Sequence, residues 1–110
     1  MGTVGSLGEV KNNFYCETEQ ESLWWKSIEE VSMSSYTTDN CFYECEQMAL
    51  KLAEEGYFDS KQPLCCNFIS WVDGLYSCDL LKGNVWKLEE NSSSTQHQSS
   101  SAYIFDAKVI

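Results

Sequence analysis

The sequence predicts a small, disulfide-stapled α+β domain in which one α-helix packs across an antiparallel sheet of about five strands. Three observations carry that prediction. The chain holds six cysteines in 110 residues. A single run, residues 40–55, places apolar side chains at helical spacing. Around it lie short aromatic and β-branched segments separated by turn residues, the pattern of hairpin-rich strands.

The cysteine spacing is the most informative of the three. Cys41 and Cys45 sit one helical turn apart, Cys65 and Cys66 are adjacent, and Cys16 and Cys78 are isolated. Side chains at i and i+4 of a helix stand roughly 5–6 Å apart at Cβ, whereas a disulfide needs about 3.8 Å, so Cys41 and Cys45 look together toward one neighbouring surface. In a strand, Cys65 and Cys66 leave on opposite faces, and one meets the helix while the other bonds elsewhere. With the helical cysteines taking Cys78 and one of the vicinal pair, and Cys16 the other, four pairings stay open out of fifteen. A zinc site would require C-x2-C spacings or a Cys/His mixture, and the one histidine, His97, lies in a distant polar tract.

In chain order, residues 1–10 are Gly-rich and read as a flexible lead-in to a single domain over 11–110. Asn13 to Glu19 forms a first strand, and Leu23 to Ile28 a second ordered stretch. Thr37, Thr38 and Asp39 each suit a helix N-cap. From Asn40 to Glu55 the residues Cys41, Phe42, Cys45, Met48, Ala49 and Leu52 make an apolar stripe opposite Glu44, Gln47, Lys51, Glu54 and Glu55. Gly56 stops the helix. A turn at 59–63 leads to a strand from Cys65 to Val72. Asp73-Gly74 signals a hairpin, with Leu75 to Leu80 returning. A turn at 82–84 precedes Val85 to Leu88. The Ser/Thr/Gln/His run at 91–101 reads as a mobile polar loop, and Ala102 to Ile110 closes the chain as a strand with Tyr103, Phe105, Ala107 and Val109 on one side.

Composition restricts function. Three disulfides, each worth about 2–4 kcal/mol, belong in an oxidising compartment and imply a secreted or cell-surface location. Met1 to Ser6 lacks the apolar core of a secretory signal and reads as the start of a mature piece. It also fits M-G-x-x-x-S, a myristoylation pattern whose cytosolic chemistry conflicts with disulfides. No run of eighteen apolar residues exists for membrane insertion. A net charge of −10 repels nucleic acid and other polyanions; it makes a solubilising surface and, more sharply, favours basic protein or calcium, although no D-x-D-x-D-G loop is present. No nucleophile–base pair stands out, so no catalytic residue and no cofactor is expected. Glu29-Glu30, Glu54-Glu55 and Glu89-Glu90 read as solvated faces.

Cys41-Phe42-Tyr43-Glu44-Cys45 on a helix, Cys65-Cys66-Asn67-Phe68 on a strand, Cys78-Asp79-Leu80 after a hairpin, and the closing Tyr103-Ile104-Phe105-Asp106-Ala107-Lys108 together resemble the PAN/apple domains over residues 36–110. The resemblance implies a non-enzymatic extracellular module for binding or adhesion. It also implies Cys41–Cys78 and Cys45–Cys65, with Cys66 as the alternative partner of Cys45. The chain departs from the family in having no terminal partner for Cys16 and an extra central cysteine; Cys16–Cys66 is the simplest repair, and it would set the first strand beside the central one.

Fifteen aromatic residues are many for this length. Adjacent side chains of an extended segment cannot share one core, so Trp24-Trp25, near Tyr36, is the candidate contact patch for a protein or sugar ring. Asn91-Ser92-Ser93 is an N-glycosylation sequon. The expected partners are thus a protein or glycan ligand, with self-association into a surface assembly or filament as the competing class.

Overall fold

The computed structural model describes residues 8–29, 36–56, 63–82, 86–91 and 97–106. Along them run β1 (Glu9–Asn12), β2 (Phe14–Glu17), β3 (Trp24–Glu29), α1 (Thr38–Glu54), β4 (Leu64–Trp71), β5 (Leu75–Leu81), β6 (Lys87–Glu90) and β7 (His97–Phe105). Five strands form one antiparallel sheet in the order β1-β7-β4-β5-β3, while β2 and β6 pair separately as a two-stranded ribbon. The helix covers one face of the sheet and the ribbon the other, giving three layers around the central strand β4.

Thr37 sets the start of α1, two residues before the expected Asn40. Asn40 Oδ1 accepts from Thr37 N at 2.8 Å and Thr37 Oγ1 accepts from Asn40 N at 3.4 Å, a capping box with Asn in the place usual for Glu or Gln. At the other end Gly56, with φ of +80°, donates its N–H to Ala53 O at 3.1 Å and ends the helix in a conformation that a Cβ would oppose. Cys41, Phe42, Cys45 and Ala49 are buried against Leu64, Cys66, Cys78, Leu80, Phe105 and Ile28 of the sheet. Tyr103 stacks on Phe42 and Phe105 at centroid distances of 5.0 and 4.9 Å, and its hydroxyl donates to Glu46 Oε2 at 2.8 Å.

The ribbon covers a second, smaller cluster of Cys16, Cys65, Leu81 and Ala102. Asn13 makes the passage from β1 to β2: its φ of +69° reverses the chain, a conformation Asn tolerates better than most residues. Its N–H donates to Ser100 O at 2.9 Å, and its carbonyl accepts from Asn91 N at 2.8 Å.

Several expectations change. Glu9 and Val10, placed in the lead-in, belong to β1, because β7 offers an edge on which Glu9–Asn12 pairs with Ser101–Ile104. His97 to Ser101, placed in the polar loop at 91–101, belong to β7, where ladders to both β4 and β1 override polar composition. The strands are not mostly hairpin-connected: among the described residues only β4 and β5 are neighbours in both chain and sheet. Residues 1–7, most of the 59–63 turn, residues 83–85, 92–96 and 107–110 lie outside the described residues, and with them Ala107 and Val109.

Strand parity decides the disulfides, which are Cys16–Cys65, Cys41–Cys78 and Cys45–Cys66. Cys41–Cys78 is as the resemblance implied. Cys45–Cys65 and Cys16–Cys66 are replaced by the exchanged pairs: Cys66 shares the helix-facing side of β4 with Leu64, while Cys65 faces the ribbon. The strand carrying Cys16 therefore lies across the face of β4 and not beside it. A DG turn joins β4 to β5 as expected, with Gly74 at φ +88° and its N–H on Trp71 O at 3.2 Å.

Candidate functional site: a groove beneath the ribbon

The ribbon covers only part of its side of the sheet. Beyond Cys16 the chain continues through Glu17, Thr18, Gln20 and Ser22 to β3, and between this segment and the sheet lies a groove of about 350 Å³. Alternation along the strands supplies its floor: Asn67, Ile69 and Trp71 from β4, Ser77, Asp79 and Leu81 from β5, and His97 from β7. Tyr15 and Glu17 of β2 form one wall.

A register shift between Ser70 and Trp71 places His97 opposite Trp71, where uninterrupted pairing would have put Gln98. Such irregularities re-aim a side chain, and here the imidazole is nearly perpendicular to two aromatic rings, with centroids 4.5 Å from Trp71 and 4.6 Å from Tyr15. Trp71 Nε1 donates to Ser77 Oγ at 2.8 Å, fixing the indole over the groove. Burial lowers the His97 pKa, so the ring favours its neutral form even though Glu17 pulls the other way. Burial, then Glu17 and Glu89, raise the Tyr15 hydroxyl.

Asp79 is the charged group on the floor. Burial pushes its carboxyl up from 3.8 to about 6, against hydrogen bonding from Ser22 and Asn67, which favours the ionised form. Ser22 Oγ donates to Oδ2 at 3.2 Å. Oδ1 is buried and has no partner of hydrogen-bonding geometry among the described residues; the nearby Asn67 amide favours the charge without completing a bond to that oxygen. Asn67 is already committed to the backbone of Cys16, to which it makes two 2.8 Å hydrogen bonds.

The expected contact residues separate. Trp24 is half-buried against the helix-side core, while Trp25 is 67 % exposed. Trp25 pairs across the sheet with Asp79 and so stands on the groove side. Tyr36 lies on the helix side, 6.1 Å from Phe68 and with Lys26 Nζ 4.9 Å above its ring. The three do not make one patch, because consecutive residues of β3 face opposite layers. Asn91 follows β6 and is half-buried; the rest of its sequon falls outside the described residues. A broader depression of about 730 Å³ beside Trp86 shares Glu17, Thr18 and Gln20 with the groove and is lined by no buried carboxylate.

The sulfurs of Cys41, Cys45, Cys66 and Cys78 all lie within 4.8 Å of one another, a four-sulfur arrangement that would suit a tetrahedral metal if reduced. Here they are two disulfides packed side by side, with Cys41 and Cys66 sulfurs 3.5 Å apart. No helix among the described residues is long and apolar enough to cross a membrane. Sequence reasoning missed Asp79, Asn67, Ser22, Trp71 and His97 as a group. The one available signal was Asp79 itself, an acid between Cys78 and Leu80, both core residues.

The fold and site define a three-disulfide α+β domain with a grooved sheet face. No family model, curated protein or solved structure matches the chain.

Proposed function

We propose that this domain is an extracellular, non-enzymatic binding module that recognises a protein or carbohydrate partner through the groove beneath the ribbon. The observation that carries the reading is a concave floor holding a carboxylate, one of whose oxygens has no partner among the described residues, beside an oriented indole, on the sheet face that also exposes Trp25. Concave sites with a few placed polar groups among aromatic rings are the ordinary form of a ligand pocket. Three disulfides support an oxidising, extracellular compartment. The resemblance of the cysteine spacing to that of PAN/apple domains supports the module reading, and Asn91, just after β6, would carry an N-glycan.

The test is a pull-down from native extract together with a glycan array, using the wild-type chain and Asp79→Asn. A ligand retained by wild type and lost by the variant supports the groove; ligands held equally by both move the site elsewhere. Self-association is the second reading, favoured by the open edges β1 and β3 with exposed Val10 and Trp25. Both edges also carry charges, Glu9 and Lys11 on β1 and Lys26 and Glu29 on β3, a usual guard against edge pairing. Light scattering that grows with concentration would favour the polymer.

A further inference from the structure

Resting on the groove as the binding site, we propose that its ligand is an organic cation, an alkylammonium or guanidinium group presented by a Lys or Arg side chain of a partner protein or by a free small amine. The argument begins with charge. Among the described residues, Asp79 Oδ1 is buried and lacks a donor, Glu17 adds a second acid at the wall, and no Lys or Arg lines the groove. A neutral ligand would leave the carboxylate without a counter-charge. An ammonium or guanidinium supplies the charge and the missing N–H donor together, the stronger form of hydrogen bond. The chain's net charge of −10 steers such a ligand inward.

Shape and surroundings agree. Trp71 and Tyr15 border the cavity, and electron-rich rings attract cations. The protein already holds an ammonium this way on its other face, where Lys26 Nζ sits 3.2 Å from Glu44 Oε1 and 4.9 Å above the Tyr36 ring. A volume of about 350 Å³ accepts an alkylammonium with its stem.

The experiment is an NMR titration of the full isotope-labelled chain. The probes are n-butylammonium, Nα-acetyl-lysine methylamide and Nα-acetyl-arginine methylamide, with n-butanol as the neutral isostere and neutral monosaccharides as the sugar arm. The cations are expected to shift the Trp71 indole and the Asn67 and Asp79 amides, with dissociation constants on the order of millimolar for such small groups. n-Butanol should leave them in place. Asp79→Asn should weaken the cations by about tenfold or more, while Asp39→Asn, on the exposed first turn of α1, should not. In the wild type, binding should fall as pH drops through about 6, where Asp79 takes up its proton. The other titratable groups facing it are Tyr15 and Glu17 from β2 and His97 from β7, and His97 charging in the same direction adds to the loss. Tighter binding of the acetylated amino-acid amides than of n-butylammonium points to a partner's side chain; the reverse points to a free amine.

Cations that bind Asp79→Asn as well as wild type overturn the proposal. So do sugars or n-butanol that shift these resonances while the cations do not, although that result keeps the groove as a binding site. Silence from every probe removes the cation and the groove together.

Discussion

The side chain of Asn67 acts as a strand opposite Cys16, its Oδ1 accepting from Cys16 N and its Nδ2 donating to Cys16 O, both at 2.8 Å. This amide joins the ribbon to the sheet where no backbone ladder runs between them, and it lies beside the Cys16–Cys65 bridge. Asn67→Leu would leave two peptide groups buried without partners. The expected cost is about 2–4 kcal/mol in urea denaturation, with the groove broadened because its wall is no longer tied to its floor. A Leu variant as stable as wild type would mean that the disulfide alone holds the ribbon.

The pairing of the vicinal cysteines has a clean readout in thiol counting. Cys16→Ala with Cys65→Ala removes one whole bridge and should leave no titratable thiol in the unfolded, unreduced protein. Cys16→Ala with Cys66→Ala breaks two bridges and strands Cys65 and Cys45, giving two thiols or a new Cys45–Cys65 bond. The first variant should also be the more stable, losing about 2–4 kcal/mol for one crosslink without disturbing the clamps on α1. Thiols in the first variant would contradict the parity of β4.

How far this architecture could be read from sequence follows from what each residue touches. The helix was legible because its two sides differ: one meets the sheet and the other water, so Cys41, Phe42, Cys45 and Ala49 repeat at its period. The opposite directions of Cys65 and Cys66 were legible for the same geometric reason. Which one meets the helix was not, since β4 is covered on both faces and Leu64 to Asn67 are all buried, leaving no polar alternation to set its phase. Ser99, Ser100 and Ser101 read as loop because their strand character comes from β4 and β1, remote in sequence. The groove was hidden similarly: Ser22, Asn67, Trp71, Asp79 and His97 meet only through the sheet order.

Trp24 and Trp25 should separate in both stability and exposure. Trp24 packs on the helix-side core, and Trp24→Ala should cost about 2–4 kcal/mol. Trp25 is 67 % exposed, and Trp25→Ala should change stability by no more than about 0.5 kcal/mol. In acrylamide quenching, loss of Trp25 should remove the most accessible part of the emission. Equal destabilisation by the two variants would place both rings in the core and remove Trp25 from any ligand surface.

Asp79 makes the groove expensive to maintain, and pH should expose the cost. Its carboxyl ionises at 3.8 when free of the fold and at about 6 within it, so the folded state holds its proton more tightly. Well below pH 3.8 both states are protonated and the residue is neutral toward stability. As pH rises through the window between these values the folded protein is increasingly destabilised, by up to about 3 kcal/mol above it. Asp79→Asn removes the charge. Its stability advantage over wild type should therefore be near zero at about pH 3 and grow toward neutrality, measured by denaturation at each pH; a difference that is flat with pH would mean that the carboxylate is solvated. If an organic cation is the ligand, n-butylammonium should narrow that advantage at neutral pH, because it stabilises only the protein that still carries the charge.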